Sequence, residues 1–193
     1  MFALNAFCKE NGLSGLEWSY GIPASVGGAC KMNAGAFGRS FCELVKSFVV
    51  YDGLRVKTYK NFKFGYRQGC LRKNEILLSA VLQLKKSTTE KVQELQNKFL
   101  LERKEKQPYG EYTLGSTFKR GENFMPAKLI DEFGFKGARE GKIKVSEKHA
   151  GFLINEGGGN AEDYLKLVQK IEIAARQKGY KFEREFITLG FGK

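Results

Sequence analysis

Histidine occurs once in the 193 residues, at His149. That excludes a histidine-rich metal site and leaves a single imidazole for base chemistry. Cysteine occurs four times, at positions 8, 30, 42 and 70. The spacing fits neither Cys-x-x-Cys nor a zinc pattern, so the cysteines read as small buried thiols of a reduced, cytosolic protein and no metal site is expected. No stretch approaches the roughly 18 apolar residues of a membrane span. The longest apolar runs, such as Ile76-Leu77-Leu78, are strand-sized. The opening Met1-Phe2-Ala3-Leu4-Asn5-Ala6-Phe7 has no basic lead and no small-residue cleavage site, so no signal peptide is expected.

Apolar types make up 42% and charged types 28%, with a mean hydropathy of -0.38, enough apolar material to build a core. The length fits one or two domains. The net charge is +12, which points to anionic partners: nucleic acid, a membrane surface or phosphate-bearing small molecules. The basic residues are scattered, with no block of five or six. Scatter suits a cleft that gathers phosphates better than a nucleic-acid arm. The aromatics fall at core-like spacings, so neither a nucleic-acid nor a membrane partner is expected.

Residues 3–11 read as the end of an amphipathic helix stopped by Gly12. Residues 44–51, 54–59 and 76–84 read as strands, the first two joined by an Asp52-Gly53 turn. Ser87-Thr88-Thr89-Glu90 is a capping-box pattern. It opens a charged helix to about Lys106 with Val92, Leu95, Phe99 and Leu100 as its stripe, ended by Pro108. A short helix is predicted over 124–133, capped by Asn123 and stopped by Gly134. A longer one is predicted over 161–178, capped by Asn160, with Tyr164, Leu165, Val168, Ile171, Ala174 and Ala175 inward. A last strand is expected over 180–189. The order gives an α+β protein with domains at 1–86 and 87–193.

Residues 21–38 hold five glycines in 18 residues. Glycine lets backbone amides approach an anion and permits the turns that form anion nests. A diphosphate or flavin edge fits such a loop, and so does a tightly packed structural turn. It is not a Gly-x-Gly-x-x-Gly fingerprint, and Gly137-Ala138-Arg139-Glu140-Gly141-Lys142 lacks the spacing and hydroxyl of a Walker A loop.

Four stretches occur together: Gly21-Ile22-Pro23 through Gly27-Gly28-Ala29 to Met32-Asn33-Ala34-Gly35-Ala36; Phe64-Gly65-Tyr66-Arg67; Gly115-Ser116-Thr117-Phe118-Lys119; and Val145-Ser146-Glu147-Lys148-His149-Ala150-Gly151-Phe152. In this order they resemble the UDP-N-acetylenolpyruvoylglucosamine reductase (UDP-N-acetylmuramate dehydrogenase) family across the whole chain. The resemblance implies the C-terminal part of an FAD-binding, PCMH-type α+β domain followed by an α+β substrate-binding domain. It implies an FAD flavoprotein of the cytoplasm that uses NADPH to reduce the enolpyruvyl group of a UDP-sugar in peptidoglycan synthesis.

Reducing a double bond conjugated to a carboxylate needs a hydride, stabilisation of the developing enolate, and a proton. Arg67, just beyond the Phe62-Phe64-Tyr66 alternation and so near a predicted strand end, has a planar fork suited to a carboxylate, though the same words describe a surface arginine. A lone serine or an edge-strand glutamate says nothing of chemistry by itself. The resemblance makes Arg67 the active-site arginine, Ser116 the proton donor and Glu185 the carboxyl at the enolate. Strand alternation groups Glu183, Glu185, Ile187 and Leu189 on one face, an apolar setting that suits a protonated carboxyl. Cofactor contacts are expected at Ile22, Pro23, Gly27, Gly28, Asn33, Gly35 and Ala36. Substrate contacts are expected at Tyr66, Lys119 and Arg120. His149 is expected to be a packed histidine or a substrate contact.

The sequence departs from the family pattern in places. Gly69 stands where the family has serine, and Arg184 where it has proline. Family members carry a further N-terminal segment with its own glycine-rich loop for the FAD diphosphate. The chain is therefore expected to begin partway through the FAD domain and to bind FAD poorly alone, unless the segment is supplied elsewhere. A second reading is a degenerate homologue that binds a UDP-sugar or another anion without flavin catalysis.

Overall fold

The computed structural model describes residues 1–190. The chain folds as two compact units, Met1–Arg103 and the residues from Lys104 onward.

In the first unit, helix α1 (Phe2–Glu10) turns Asn5 and Cys8 inward. Gly12 ends it with φ +58, and a Cβ there would stand 2.6 Å from the Ser87 carbonyl. Strand β1 (Leu13–Ser14) pairs antiparallel with the later β7 (Lys85–Lys86). A short helix α2 (Val26–Met32) leads into a hairpin of β2 (Gly35–Ala36) and β3 (Arg39–Ser40). Strands β4 (Val45–Tyr51), β5 (Val56–Tyr59) and β6 (Ile76–Leu82) form an antiparallel sheet in the order β5-β4-β6. The Asp52-Gly53 turn forms as expected, with Asp52 Oδ1 accepting from the Leu54 and Arg55 amides at 3.0 and 2.9 Å. Trp18, Phe41, Phe48, Leu16 and Val50 fill the core.

Helix α3 (Thr89–Lys106) corrects the expectation in two ways. Thr88 caps it, accepting from the Lys91 amide at 3.3 Å, one residue later than the capping-box reading. Its buried positions are Val92, Gln96 and Arg103, while Leu95 is exposed and Leu100 only partly covered. Gln96 donates to the Asn5 carbonyl at 2.9 Å, Arg103 to the Trp18 carbonyl at 3.0 Å, and Phe99 meets Phe37. Hydrogen bonds to buried carbonyls substitute for apolar contact along this face, a pairing that apolar periodicity does not encode. Packing therefore changes unit at the far end of α3, whereas the sequence reading puts the break at its start.

The second unit holds a four-stranded antiparallel sheet in the order β8 (Tyr112–Ser116), β11 (Phe152–Asn155), β10 (Ile143–Val145), β9 (Arg139–Glu140). Two helices, α4 (Pro126–Glu132) and α5 (Ala161–Gln177), complete it. Its core gathers Ile130, Ile143, Val145, Leu153, Leu167, Val168 and Ile171. Asn160 caps α5 by accepting from the Asp163 amide at 2.8 Å. Inside α5, Leu167 and Glu172 are buried where Leu165 and Ala174 were expected. Met125, not Asn123, precedes α4, and Pro126 at its first turn needs no amide partner.

The expected last strand over 180–189 does not form. The segment is irregular and makes one isolated bridge, Arg184 to Phe118. The predicted apolar face fails with it, since Ile187 and Leu189 are largely exposed.

Candidate functional site

In the first unit, Ser25 caps α2, its Oγ accepting from the Gly28 amide at 3.0 Å. That amide is therefore engaged within the fold, although Gly28 itself is exposed and Gly27 half-buried. A Cβ at Gly27 would meet only Leu77 and Ser25, both at 3.9 Å. Asn33 ends α2 in the left-handed region with φ 44. Its Nδ2 donates to the Gly65 carbonyl at 2.8 Å and its Oδ1 accepts from the Cys42 amide at 2.9 Å. The Asn33 side chain thus ties three loops together, and a ligand contact at this position falls to its backbone. Ile22 packs on the core and Pro23 is exposed. Gly35 and Ala36 form the first strand of the hairpin.

Arg67 sits on a turn, not at a strand end. The amides and carbonyls of Gly65 and Gln68 exchange hydrogen bonds at 2.9 and 3.1 Å around Tyr66 and Arg67. Arg67 takes φ 53, a value suited to the third residue of such a turn and uncommon outside glycine. Its guanidinium faces the Gly35 carbonyl at 3.4 Å and lies over the Tyr66 ring, 5.2 Å from its centre. Tyr66 is exposed.

Beneath this turn lie three buried thiols. Cys42 and Cys70 point at the Cys30 carbonyl at 3.6 and 3.9 Å. The Cys42 thiol is pushed up by its hydrogen bond with Cys70 and by burial. That of Cys70 is pushed up to about 11, first by its contact with Cys30. All four cysteines are free and buried, as the composition suggests.

In the second unit, β8 bulges before it ends. Phe152 pairs with Ser116, but Ile154 pairs with Thr113, so three steps on β8 face two on β11. Gly115 absorbs the extra residue with φ +87. The chain beyond Ser116 then leaves the sheet. The Thr117 amide donates to Gly151 at 2.8 Å, and Thr117 Oγ1 lies 3.3 Å from the Tyr164 hydroxyl. Burial raises the Tyr164 pKa.

The residues after Ser116 run beside the C-terminal segment. The Glu185 amide donates to the Thr117 carbonyl at 2.9 Å and the Lys119 amide to the Glu183 carbonyl at 2.8 Å. Glu185 and Ser116 are thereby one residue apart across a backbone pairing. Arg184 fastens this segment, its Nε and Nη2 donating to the two Glu172 oxygens at 2.7 and 2.8 Å. Lys119, an expected phosphate contact, pairs with Glu183 at 2.5 Å. Arg120 is exposed beside it. His149 is packed: its Nδ1 accepts from the Gly151 amide at 3.2 Å and its ring lies edge-on to Phe152.

Sequence reasoning missed the Gly115 bulge, the Arg67 turn and the Arg184–Glu172 pair. A glycine inside a strand pattern was the available signal for the first. A hollow of about 620 Å³ lined by Leu129, Phe133 and Tyr180 holds none of the expected site residues. Among the described residues no cluster of metal-ligating side chains occurs, and no helix is long and apolar enough to cross a membrane.

The family model described as UDP-N-acetylenolpyruvoylglucosamine reductase, C-terminal domain, matches residues 107–189. A UDP-N-acetylenolpyruvoylglucosamine reductase of Pseudothermotoga lettingae is 41% identical over 176 residues, 88% of this chain and 62% of that protein. A second, from Bacillus cereus, is 40% identical over 189 residues, 95% of this chain and again 62% of the relative. The crystal structure of the Thermus caldophilus enzyme aligns with a TM-score of 0.85 at 32% identity, over 96% of this chain and 68% of that one. The chain thus spans about 62% of the length of these curated relatives.

Proposed function

The chain belongs to the UDP-N-acetylenolpyruvoylglucosamine reductase family, and on that premise we propose that it serves the reduction of a UDP-linked enolpyruvyl ether to its lactyl ether, with FAD and NADPH, in cytoplasmic peptidoglycan synthesis. The observation that supports this reading is the backbone pairing of Glu185 with Thr117, the residue that follows Ser116.

The first unit fits a flavin edge. Gly35 lets the hairpin close tightly: a Cβ there would stand 2.7 Å from the Arg39 carbonyl and 3.3 Å from Arg67 Nη1. With Gly27 and Gly28 of the α2 turn and the Ile22-Pro23 loop, this gives a stretch poor in bulky side chains, which suits close approach of a flavin to backbone polar groups. Bound flavin supplies the hydride.

The remaining chemistry falls to side chains. Arg67 grips the substrate carboxylate, and its permanent charge offsets the negative charge that builds there as the enolate forms. Glu185 hydrogen-bonds the developing enolate. Ser116 Oγ delivers a proton to the α carbon; a hydroxyl is a weak acid, and only a strongly basic carbon centre draws its proton. Tyr66, Lys119 and Arg120 contact the substrate, with Lys119 exchanging Glu183 for a phosphate oxygen.

The test is NADPH oxidation with the UDP-enolpyruvyl sugar, with and without added FAD. Turnover that depends on FAD supports the reading. Binding of the UDP-sugar with no turnover under any FAD supplement replaces it with an anion-binding homologue.

A further inference from the structure

We infer that the hollow between the carboxyl ends of α4 and α5 binds a small zwitterion: an ammonium and a carboxylate on one apolar body, the chemistry shared by a free amino acid and a short unblocked peptide. The hollow lies wholly within the second unit and holds about 620 Å³, inside the usual range for small-molecule sites. Its walls come from the last turns of two helices. Leu129, Glu132 and Phe133 stand at i, i+3 and i+4 and so share one side of α4 and its cap. Ala174, Gln177 and Lys178 repeat that spacing at the end of α5. Tyr180, just past α5, completes the lining.

The apolar part of the hollow is preformed. Leu129 is buried, and Phe133, Ala174 and Tyr180 are half-buried. The Tyr180 ring meets Phe124 edge-on at 5.2 Å and is tilted against Phe133 at 6.4 Å. Phe124 in turn stacks on Phe182 at 5.8 Å. Rings already fixed by their neighbours lose little freedom when a ligand covers them. Met125, one turn before Leu129, and Ile173, one turn before Gln177, are each 53% exposed and extend the apolar surface along both helices.

The polar part carries one charge of each sign, Glu132 and Lys178. Glu132 pairs with Lys128 at 3.6 Å, but the two side chains are 51% and 78% exposed, so the pair exchanges at little cost. Both helices end here, and the partial negative charge of a helix carboxyl end favours a cation beside Glu132. A free anion such as phosphate meets the wrong polarity at both helix ends. A plain cation leaves the exposed Lys178 opposed to it, whereas the carboxylate of a zwitterion gives Lys178 a partner. None of the expected cofactor or substrate contacts lines this hollow, so the inference and the flavin reading fail separately.

The test titrates the full chain with phenylalanine and follows the backbone amides by NMR. A Kd on the order of 1 mM is expected for a ligand of this size, with shifts centred on Phe133, Gln177, Lys178 and Tyr180. Phenylpropionate lacks the ammonium and phenylethylamine lacks the carboxylate; each is expected to bind about threefold more weakly or worse. Leucylphenylalanine separates the two sources: tighter binding than phenylalanine assigns the hollow to peptides, weaker binding to the free amino acid. Glu132→Gln with Lys178→Gln keeps the net charge and alters only exposed groups. It is expected to lower the affinity for phenylalanine about tenfold, the product of the two single losses. Ala174→Met fills the hollow from α5 and is expected to abolish binding. Should Ala174→Met unfold the unit, the double variant at the exposed charges decides by itself. Absence of saturable shifts at the hollow, equal affinity for the three phenyl probes, or unaltered binding by the folded double variant each overturns the inference.

Discussion

The Arg67 guanidinium faces the carbonyl of Gly35 at 3.4 Å. The residue expected to hold the substrate carboxylate therefore touches the hairpin expected to meet the flavin. Both are fastened to Asn33, whose amide donates to Gly65 on the Arg67 turn and accepts from Cys42 beyond the hairpin.

Gly69 is the tightest point of that arrangement. A Cβ at Gly69 would lie 1.8 Å from the Cys30 carbonyl and 2.3 Å from that of Lys31. The obstacles are backbone atoms at the end of α2 and cannot rotate away. The Cys70 amide also donates to the Cys30 carbonyl at 3.2 Å, so the two segments are held together at this distance. Gly69→Ser is expected to destabilise the first unit by about 1–3 kcal/mol, the usual range for overpacking. A urea midpoint unchanged from the unaltered chain counts against the close approach.

How much of this was legible beforehand depends on the scale of the signal. The α+β class, α5 with its Asn160 cap and the Asp52-Gly53 hairpin were plain, because each is written in consecutive residues. The Arg67 turn was read as a strand end, because Phe62-Phe64-Tyr66 alternates and φ 53 at an arginine has no sequence signature. The Leu95 position on α3 misled for a related reason: Gln96 and Arg103 are buried only because the Asn5 and Trp18 carbonyls are there to receive them. The 180–189 strand was predicted from alternation alone. Its pairing stops at one bridge, and the Arg184 side chain is held by Glu172 on α5.

Ser116→Ala separates proton delivery from hydride supply. The hydroxyl is expected to act only after hydride has reached the substrate. In the FAD-loaded protein, loss of Ser116 should lower double-bond reduction by about 10²-fold or more, the scale of general-acid catalysis. Flavin reduction by NADPH should stay within about twofold. Stopped-flow traces at the flavin band read the two half-reactions apart, and an equal loss in both removes Ser116 from the role.

The Arg184–Glu172 pair is expected to hold Glu185 in register. Both Glu172 oxygens are engaged, and its side chain is only 11% exposed, against 34% for Arg184. Arg184→Ala leaves a mostly buried carboxylate without its bidentate partner. Discounted for the exposure of the arginine, the cost is about 2 kcal/mol. The more telling readout is amide exchange. The Glu185 and Lys119 amides, which donate to Thr117 and Glu183, should lose protection while those of β10 keep theirs. Uniform loss across the unit would mean that the pair contributes general stability and no local register.

His149 is expected to contribute to the acid sensitivity of the second unit. Its Nδ1 accepts from the Gly151 amide, which requires an unprotonated nitrogen, and burial lowers its pKa. Nearby Lys136 pushes the same way. Above the unfolded value of about 6.5 both states hold a neutral ring and the full stability is present. As pH falls below that value the unfolded chain takes up a proton that the folded chain refuses. Stability therefore drops, by at most about 1.4 kcal/mol per pH unit, until the folded pKa is passed. His149→Asn keeps an acceptor for Gly151 and cannot titrate. The difference in thermal midpoint between the unaltered chain and this variant should accordingly shrink or reverse between about pH 7 and pH 5. A difference that stays constant over that range would show that His149 takes up its proton as readily folded as unfolded.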